Sequence, residues 1–139
     1  MTDEELIRAY YEHFNARRLA DVAALLADDA HMEHAHLDLV ADGNDNYRQF
    51  AERWLSAFPD LTLTIERIDH VREEWHEVYL VGEGTHQGNM DMGSLGVVKP
   101  TFRRGRMRLR HLLQVRNGRI AKSMLSFDTN DLIRNIAGR

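Results

Sequence analysis

The sequence predicts an α+β fold: N-terminal helices packed on a strongly curved, mostly antiparallel β-sheet that closes into a cone-shaped pocket. Three observations lead there. Helical spacing of apolar residues fills the part of the chain before Pro59 and returns only in a short stretch at its end. Alternating, strand-like patterns fill most of the chain beyond that proline. Asn117-Gly118, between two apolar runs, is the signature of a tight type I′ hairpin, because both residues tolerate positive φ. The 139 residues suit one domain, 1–139, with a real core. Hydrophobic content of 43% and charged content of 29% are an ordinary globular balance. The absence of cysteine excludes a disulfide framework, a thiolate metal site and a Cys nucleophile. A net charge of −4 argues against nucleic-acid or anionic-membrane binding by bulk electrostatics. No apolar run approaches membrane-spanning length and the acidic start MTDEE is not a signal peptide, so a cytoplasmic protein is expected.

The elements can be taken in chain order. Thr2 and Glu5 form a capping-box pattern, and Leu6, Ile7, Tyr10, Tyr11 and Phe14 give helical spacing to about Arg17. A second helix is expected over Ala20 to Ala27. Ala30 to Leu39 alternates as one strand or two short ones. Asp42-Gly43-Asn44-Asp45 has turn chemistry. Tyr47, Phe50, Trp54, Leu55 and Phe58 mark a third amphipathic helix, stopped by Pro59. Four antiparallel strands are expected next: one from Leu61, one through Val78 and Leu80 to Gln87, one from Thr101 to Val115, and one from Ile120 to Phe127. Gly88 to Lys99 between them reads as a loop. Thr129 or Asn130 can cap a last helix with Leu132, Ile133 and Ile136 as its stripe and Gly138 as its stop.

With Asn117 and Gly118 as the two turn residues, His111 faces Met124 and Asp128 faces Met107. Alternation then puts Met107, Leu109, His111, Leu113, Met124, Ser126 and Asp128 on one face, apolar except for three groups. This is the expected lining of a pocket. Asp128, at the end of a buried strand, has a carboxylate whose pKa apolar neighbours would raise, which suits acid–base catalysis; capping the last helix is the plain alternative. In this register His111 and Asp128 lie on the order of 13 Å apart, opposite ends of one ligand rather than a dyad. His34, His86, Trp54 and Tyr11 are further candidates for contact with a substrate. The cluster His31, Glu33, His34, His36 invites a metal, with His86 or His111 as an added ligand, but its spacing matches no zinc signature and no metal is expected. Arg103, Arg104, Arg106, Arg108 and Arg110 form a basic run, expected as a solvated strand face or a dimer seam rather than a nucleic-acid site.

Several segments in order resemble the SnoaL-like polyketide cyclases of the nuclear-transport-factor-2-like superfamily. They are Glu33-His34, Ala57-Phe58-Pro59-Asp60-Leu61, Gly84-Thr85-His86-Gln87-Gly88, Pro100-Thr101, Asn117-Gly118-Arg119-Ile120, and Asp128 with Leu132 and Asn135-Ile136-Ala137. Phe102 stands where the family's Pro-Thr-Gly has glycine. The resemblance implies the cystatin-like α+β barrel, a homodimer through the sheet, and aldol-type ring closure without metal or organic cofactor. It places the family's acid–base carboxylate on Asp128 and a strand histidine near His111. The expected function is a cofactor-independent cyclase, lyase or isomerase acting on an apolar oxygenated small molecule. The alternative is a non-catalytic ligand-binding or dimerisation module on the same fold.

Overall fold

The first helix, α1 (Asp3–Asn15), begins where Thr2 and Glu5 predict. In the computed structural model of the chain, which describes residues 1–35, 37 and 39–137, the Thr2 hydroxyl accepts from the Glu5 amide at 3.1 Å. The Glu5 carboxylate accepts from the Thr2 amide at 2.9 Å. Both orphan donors are thereby satisfied. α2 (Leu19–Ala24) ends before the expected Ala27 because Leu26 opens a strand, β1 (Leu26–His34), by pairing with Ile120. That tertiary pairing overrides the local helical spacing. β2 (Leu39–Asp42) folds back antiparallel on β1, and α3 (Tyr47–Ala57) comes after a short 3₁₀ turn.

β3 (Thr62–Arg72) and β4 (Trp75–Thr85) form a hairpin. The stretch expected as a plain loop contains a minimal ribbon, β5 (Met90–Asp91) with β6 (Val97–Val98). β7 (Arg104–Arg116) and β8 (Arg119–Ser126) are joined by Asn117 and Gly118 with φ of 53° and 75°, the expected positive-φ turn. α4 (Thr129–Ala137) closes the chain. Its cap is Asp128, whose carboxylate accepts from the amides of Asn130 at 2.8 Å and Asp131 at 3.3 Å. The expected stop at Gly138 lies outside the described residues. No helix among the described residues is long and apolar enough to cross a membrane.

Among the described residues the large sheet has the order β2-β1-β8-β7-β4-β3, in which the four strands expected after Pro59 are joined by the two short ones expected before it. All neighbours are antiparallel except β1 and β8, which run parallel. The N-terminal segment is therefore threaded in beside the C-terminal hairpin. Register shifts within the β3–β4, β7–β8 and β1–β8 pairs bend and twist the sheet. The apolar faces of α1, α3 and α4 and the inner sheet face share one core.

The β7–β8 shift corrects the expected register. Arg116 pairs with Arg119 and Val115 with Ile120, but Gln114 pairs with Lys122, leaving Ala121 as an extra residue. Beyond it, His111 faces Leu125 instead of Met124, and Leu113 faces Ser123. A one-residue slip exchanges the faces of a strand. Met124 and Ser126 consequently point away from His111's face, and Met124 is 41% exposed. Leu125 and Phe127 take the inner places.

Candidate functional site

Between the inner sheet face and α1, α3 and α4 lies a cavity of about 830 Å³ of atom-free space, its mouth included. Its wall is mostly aromatic and aliphatic. Among the described residues no carboxylate lines it. The polar groups that do are chiefly two histidines, two tyrosines and an indole.

β7 carries His111 inward because its odd-numbered residues face the core. Tyr11, one helical turn from Ile7 on the buried side of α1, reaches it from behind. The Tyr11 hydroxyl and His111 Nδ1 are 2.7 Å apart. A hydroxyl both donates and accepts, so it supports either tautomer of the ring. Nδ1 is thus occupied, and Nε2 has no protein partner among the described residues. Burial pushes the His111 pKa down to about 3, so the ring is neutral at ordinary pH. Tyr10 packs edge-on against His111 at 5.6 Å between ring centres and against Tyr47 at 6.0 Å. Burial drives the Tyr10 pKa up to about 12, and those of Tyr11 and Tyr47 well above the usual value.

β1 delivers the second imidazole. His34 lies against the Phe50 ring at 4.0 Å between centres, and the Trp54 indole N–H donates to it, 2.8 Å from Nε2 and 3.1 Å from Nδ1. Burial first, then the neighbouring His111 and Arg53, lower its pKa to about 3. Phe127 stands edge-on to Trp54 at 5.5 Å and closes this end. The cavity therefore offers neutral hydrogen-bonding groups on an apolar wall, with Arg106 as the charged residue of the lining and no fixed negative charge among the described residues.

Of the residues singled out from the sequence, His111, His34, Trp54 and Met107 line the cavity, and Tyr11 stands directly behind it. Met124 and Ser126 do not, because the bulge turns them outward. Asp128 is exposed and spends its carboxylate on the α4 cap, so the apolar surroundings expected for it are absent. His86 is fully buried but lies elsewhere. Its Nδ1 accepts from the Thr101 amide at 3.2 Å, and its backbone pairs with Phe102 and Arg103, anchoring the loop before β7.

The metal reading also meets a different arrangement. His31 is on the face of β1 opposite His34, with Nδ1 2.7 Å from Asp42 and Nε2 2.6 Å from Glu33. His36 lies outside the described residues. The basic run of β7 is an exposed face knitted to acids of β3, β4 and the segment before β3: Arg104 to Asp60 and Glu83, Arg106 to Glu83, Arg108 to Glu66, Arg110 to Glu77.

Sequence reasoning missed Leu125 and the α4 residues Leu132, Asn135 and Ile136 as lining. Nothing local marks Leu125, since its inward aim depends on Ala121. Asn135 is held by its carboxamide, which accepts from the Arg106 amide at 3.0 Å and donates to the Asp131 carbonyl at 2.8 Å. Gly105 makes room for it: a Cβ there would stand 3.0 Å from the Asn135 side chain.

Comparison with known proteins gives a consistent result. A family model described as SnoaL-like polyketide cyclase matches residues 4–136. Among solved structures, IdmH of Streptomyces antibioticus, a candidate polyketide cyclase, is 23% identical with a TM-score of 0.79 over 99% of each chain. An NTF2-like protein of unknown function from Burkholderia pseudomallei is 23% identical with a TM-score of 0.78 over 98% of each chain. An LEH-like epoxide hydrolase of M. tuberculosis is 15% identical with a TM-score of 0.72, over 96% of this chain and 88% of that one. At these identities the likeness establishes the fold. No curated protein matches the chain.

Proposed function

This chain belongs to the SnoaL-like polyketide cyclase family, and from that premise we propose a cofactor-independent acid–base enzyme acting on a neutral, largely apolar carbonyl compound held in the cavity. The observation that carries the proposal is His111, on the cavity wall with Nδ1 tied to Tyr11 at 2.7 Å, where no carboxylate is within the lining. In the tautomer with Nδ1–H donating to Tyr11, the Nε2 lone pair takes a proton from a carbon beside a carbonyl. The carbon–hydrogen electron pair becomes the enolate. Imidazolium and enolate form together, so the apolar cavity stays neutral overall. The enolate carbon attacks a second carbonyl in a cyclisation, and the resulting alkoxide takes the proton back from Nε2. In an isomerisation the proton returns to a different carbon. A hydroxyl of Tyr10 or Tyr47 is placed to steady the oxyanion.

The chemistry restricts the substrate. An imidazole with a pKa near 3 is a weak base, and efficiency falls as the base and the proton source grow apart in acidity. The carbon acid must therefore be a strong one, such as a carbon between two carbonyls. The rest of the barrier is met by holding the chain folded in a shape-matched cavity.

The test is deuterium exchange at the central carbon of an apolar 1,3-diketone in D₂O, monitored by NMR. Exchange by the protein, absent in His111→Gln and intact in Asp128→Asn, is the expected result. Equal exchange by His111→Gln overturns it. A second reading, a non-catalytic binding module, is favoured by the absence of a cavity carboxylate. It predicts that the same diketone quenches Trp54 fluorescence without any exchange. The proposal extends to a homodimer in the cytoplasm, packed through the outer sheet face on which Met124 is exposed; the mass in solution checks the first point.

A further inference from the structure

Phe102 is the residue least accounted for by the fold. It is 72% exposed and its φ is 58°. A bulky side chain is disfavoured in the left-handed region, and here it gains no burial in return. The conformation is enforced by the buried His86: the Phe102 amide donates to the His86 carbonyl at 2.8 Å, and the His86 amide donates to the Arg103 carbonyl at 2.9 Å. The same excursion from the sheet carries Leu95 and Val97, each 60% exposed. It also carries Lys99 and Arg103, exposed cations with no ion-pair partner among the described residues. None of the five lines the cavity, yet the loop sits at its end. It leaves the sheet just after Gly84 and returns just before Gly105, a cross-strand pair that lines the cavity.

We propose that the loop between β4 and β7 docks the protein on an anionic bilayer surface. Phe102, Leu95 and Val97 enter the interface, and Lys99 and Arg103 face lipid phosphates. Exposed aromatic and aliphatic side chains interleaved along one loop with exposed cations are the combination that such a surface takes, with the apolar groups partitioning and the cations screened only by salt. The bulk charge of −4 predicts no such association, but the local distribution is reversed. Aspartate and glutamate near this end are engaged by other arginines, Asp91 by Arg53 and Asp60 and Glu83 by Arg104. The placement brings an apolar cavity next to the phase in which an apolar ligand dissolves.

The test is co-sedimentation with vesicles of phosphatidylcholine alone and of phosphatidylcholine mixed with phosphatidylglycerol. The expected result is binding to the mixed vesicles at low salt. Phe102→Ser weakens partitioning about tenfold, and Lys99→Glu with Arg103→Glu weakens it about tenfold or more. Raising the salt does the same for the wild type, and circular dichroism shows both variants folded. Failure to bind either vesicle overturns the proposal, as does binding that neither variant changes. Dissociation of a dimer by Phe102→Ser, without vesicle binding, also overturns it and assigns the loop to contact between copies.

Discussion

Two histidine environments lie on one strand, three residues apart, and they are opposites. His34 faces inward, shares the cavity with His111, and is kept neutral by burial. His31 faces outward between the carboxylates of Glu33 and Asp42, and its hydrogen bonds to Glu33 and then Asp42 raise its pKa despite partial burial. The strand's alternation decides which. A histidine turned inward becomes an uncharged hydrogen-bonding group, and one turned outward has its protonated form favoured by carboxylates and ties β1 to its neighbour β2. The same residue type thus serves a site with no carboxylate in its described lining and an edge held by hydrogen bonds to two carboxylates.

The difference can be broken hardest at Trp54. Trp54→Ala removes a large buried side chain together with the donor that satisfies His34, and a loss of about 3–5 kcal/mol is expected from thermal or urea unfolding. No truncation at His31 is expected to bring a comparable loss.

The pH dependence of stability sharpens the contrast. His34 and His111 have folded pKa values of about 3, below an unfolded value near 6.5. As pH falls below about 6.5, the unfolded chain binds protons that the folded one refuses, so stability is lost. The slope is about 1.4 kcal/mol per pH unit for each ring, and it persists down to pH near 3. His31 has the opposite sign: its contribution is fully present below the unfolded pKa and is lost as pH rises through its raised folded value. Urea unfolding across pH should show the steep acid limb, and His111→Phe should remove one proton's worth of it.

A narrower probe is Tyr11→Phe, which leaves His111 Nδ1 buried without its partner and should cost about 1–3 kcal/mol in unfolding free energy. If activity rests on His111, this variant also changes the ¹⁵N tautomer signature of that ring, whereas a purely structural tyrosine leaves it unmoved. The smallest effect is expected at the edge. Asp42→Asn removes one exposed partner of His31 and should change stability by less than about 1 kcal/mol. Its measurable consequence is a lower His31 pKa in an NMR titration, with Glu33 left as the sole carboxylate partner.

Much of the architecture could be read from local chemistry. The capping box at Thr2, the aromatic stripe of α3 and the Asn117-Gly118 turn each act over a few residues, and each stands where it was expected. The pairing of β1 with β8 could not be read this way. It joins residues about a hundred positions apart, and Leu26 looks helical until Ile120 is beside it. The site divides along the same line. His111 and Met107 lie on β7 with the expected parity, and His34 and Trp54 conform to their strand and helix faces. Met124, Ser126 and Asp128 were placed by counting from the turn, and the count fails at Ala121. His86 has the right type and spacing, but the backbone of the adjoining loop claims it. Tyr11 contributes through His111 rather than by touching the cavity, which no periodicity distinguishes.

Ala121 also has an evolutionary consequence. β8 encodes two alternative walls in a single stretch: Ser123, Leu125 and Phe127 in one phase, Lys122, Met124, Ser126 and Asp128 in the other. A residue that never touches the ligand selects between them. Were Ala121 absorbed into the ladder instead of bulging out, the first set would give way to one bearing a cation, a hydroxyl and a carboxylate, with no residue changed. On this fold the presence or absence of one bulge in a hairpin therefore decides which residues face a binding chamber, where point substitution would have to change several.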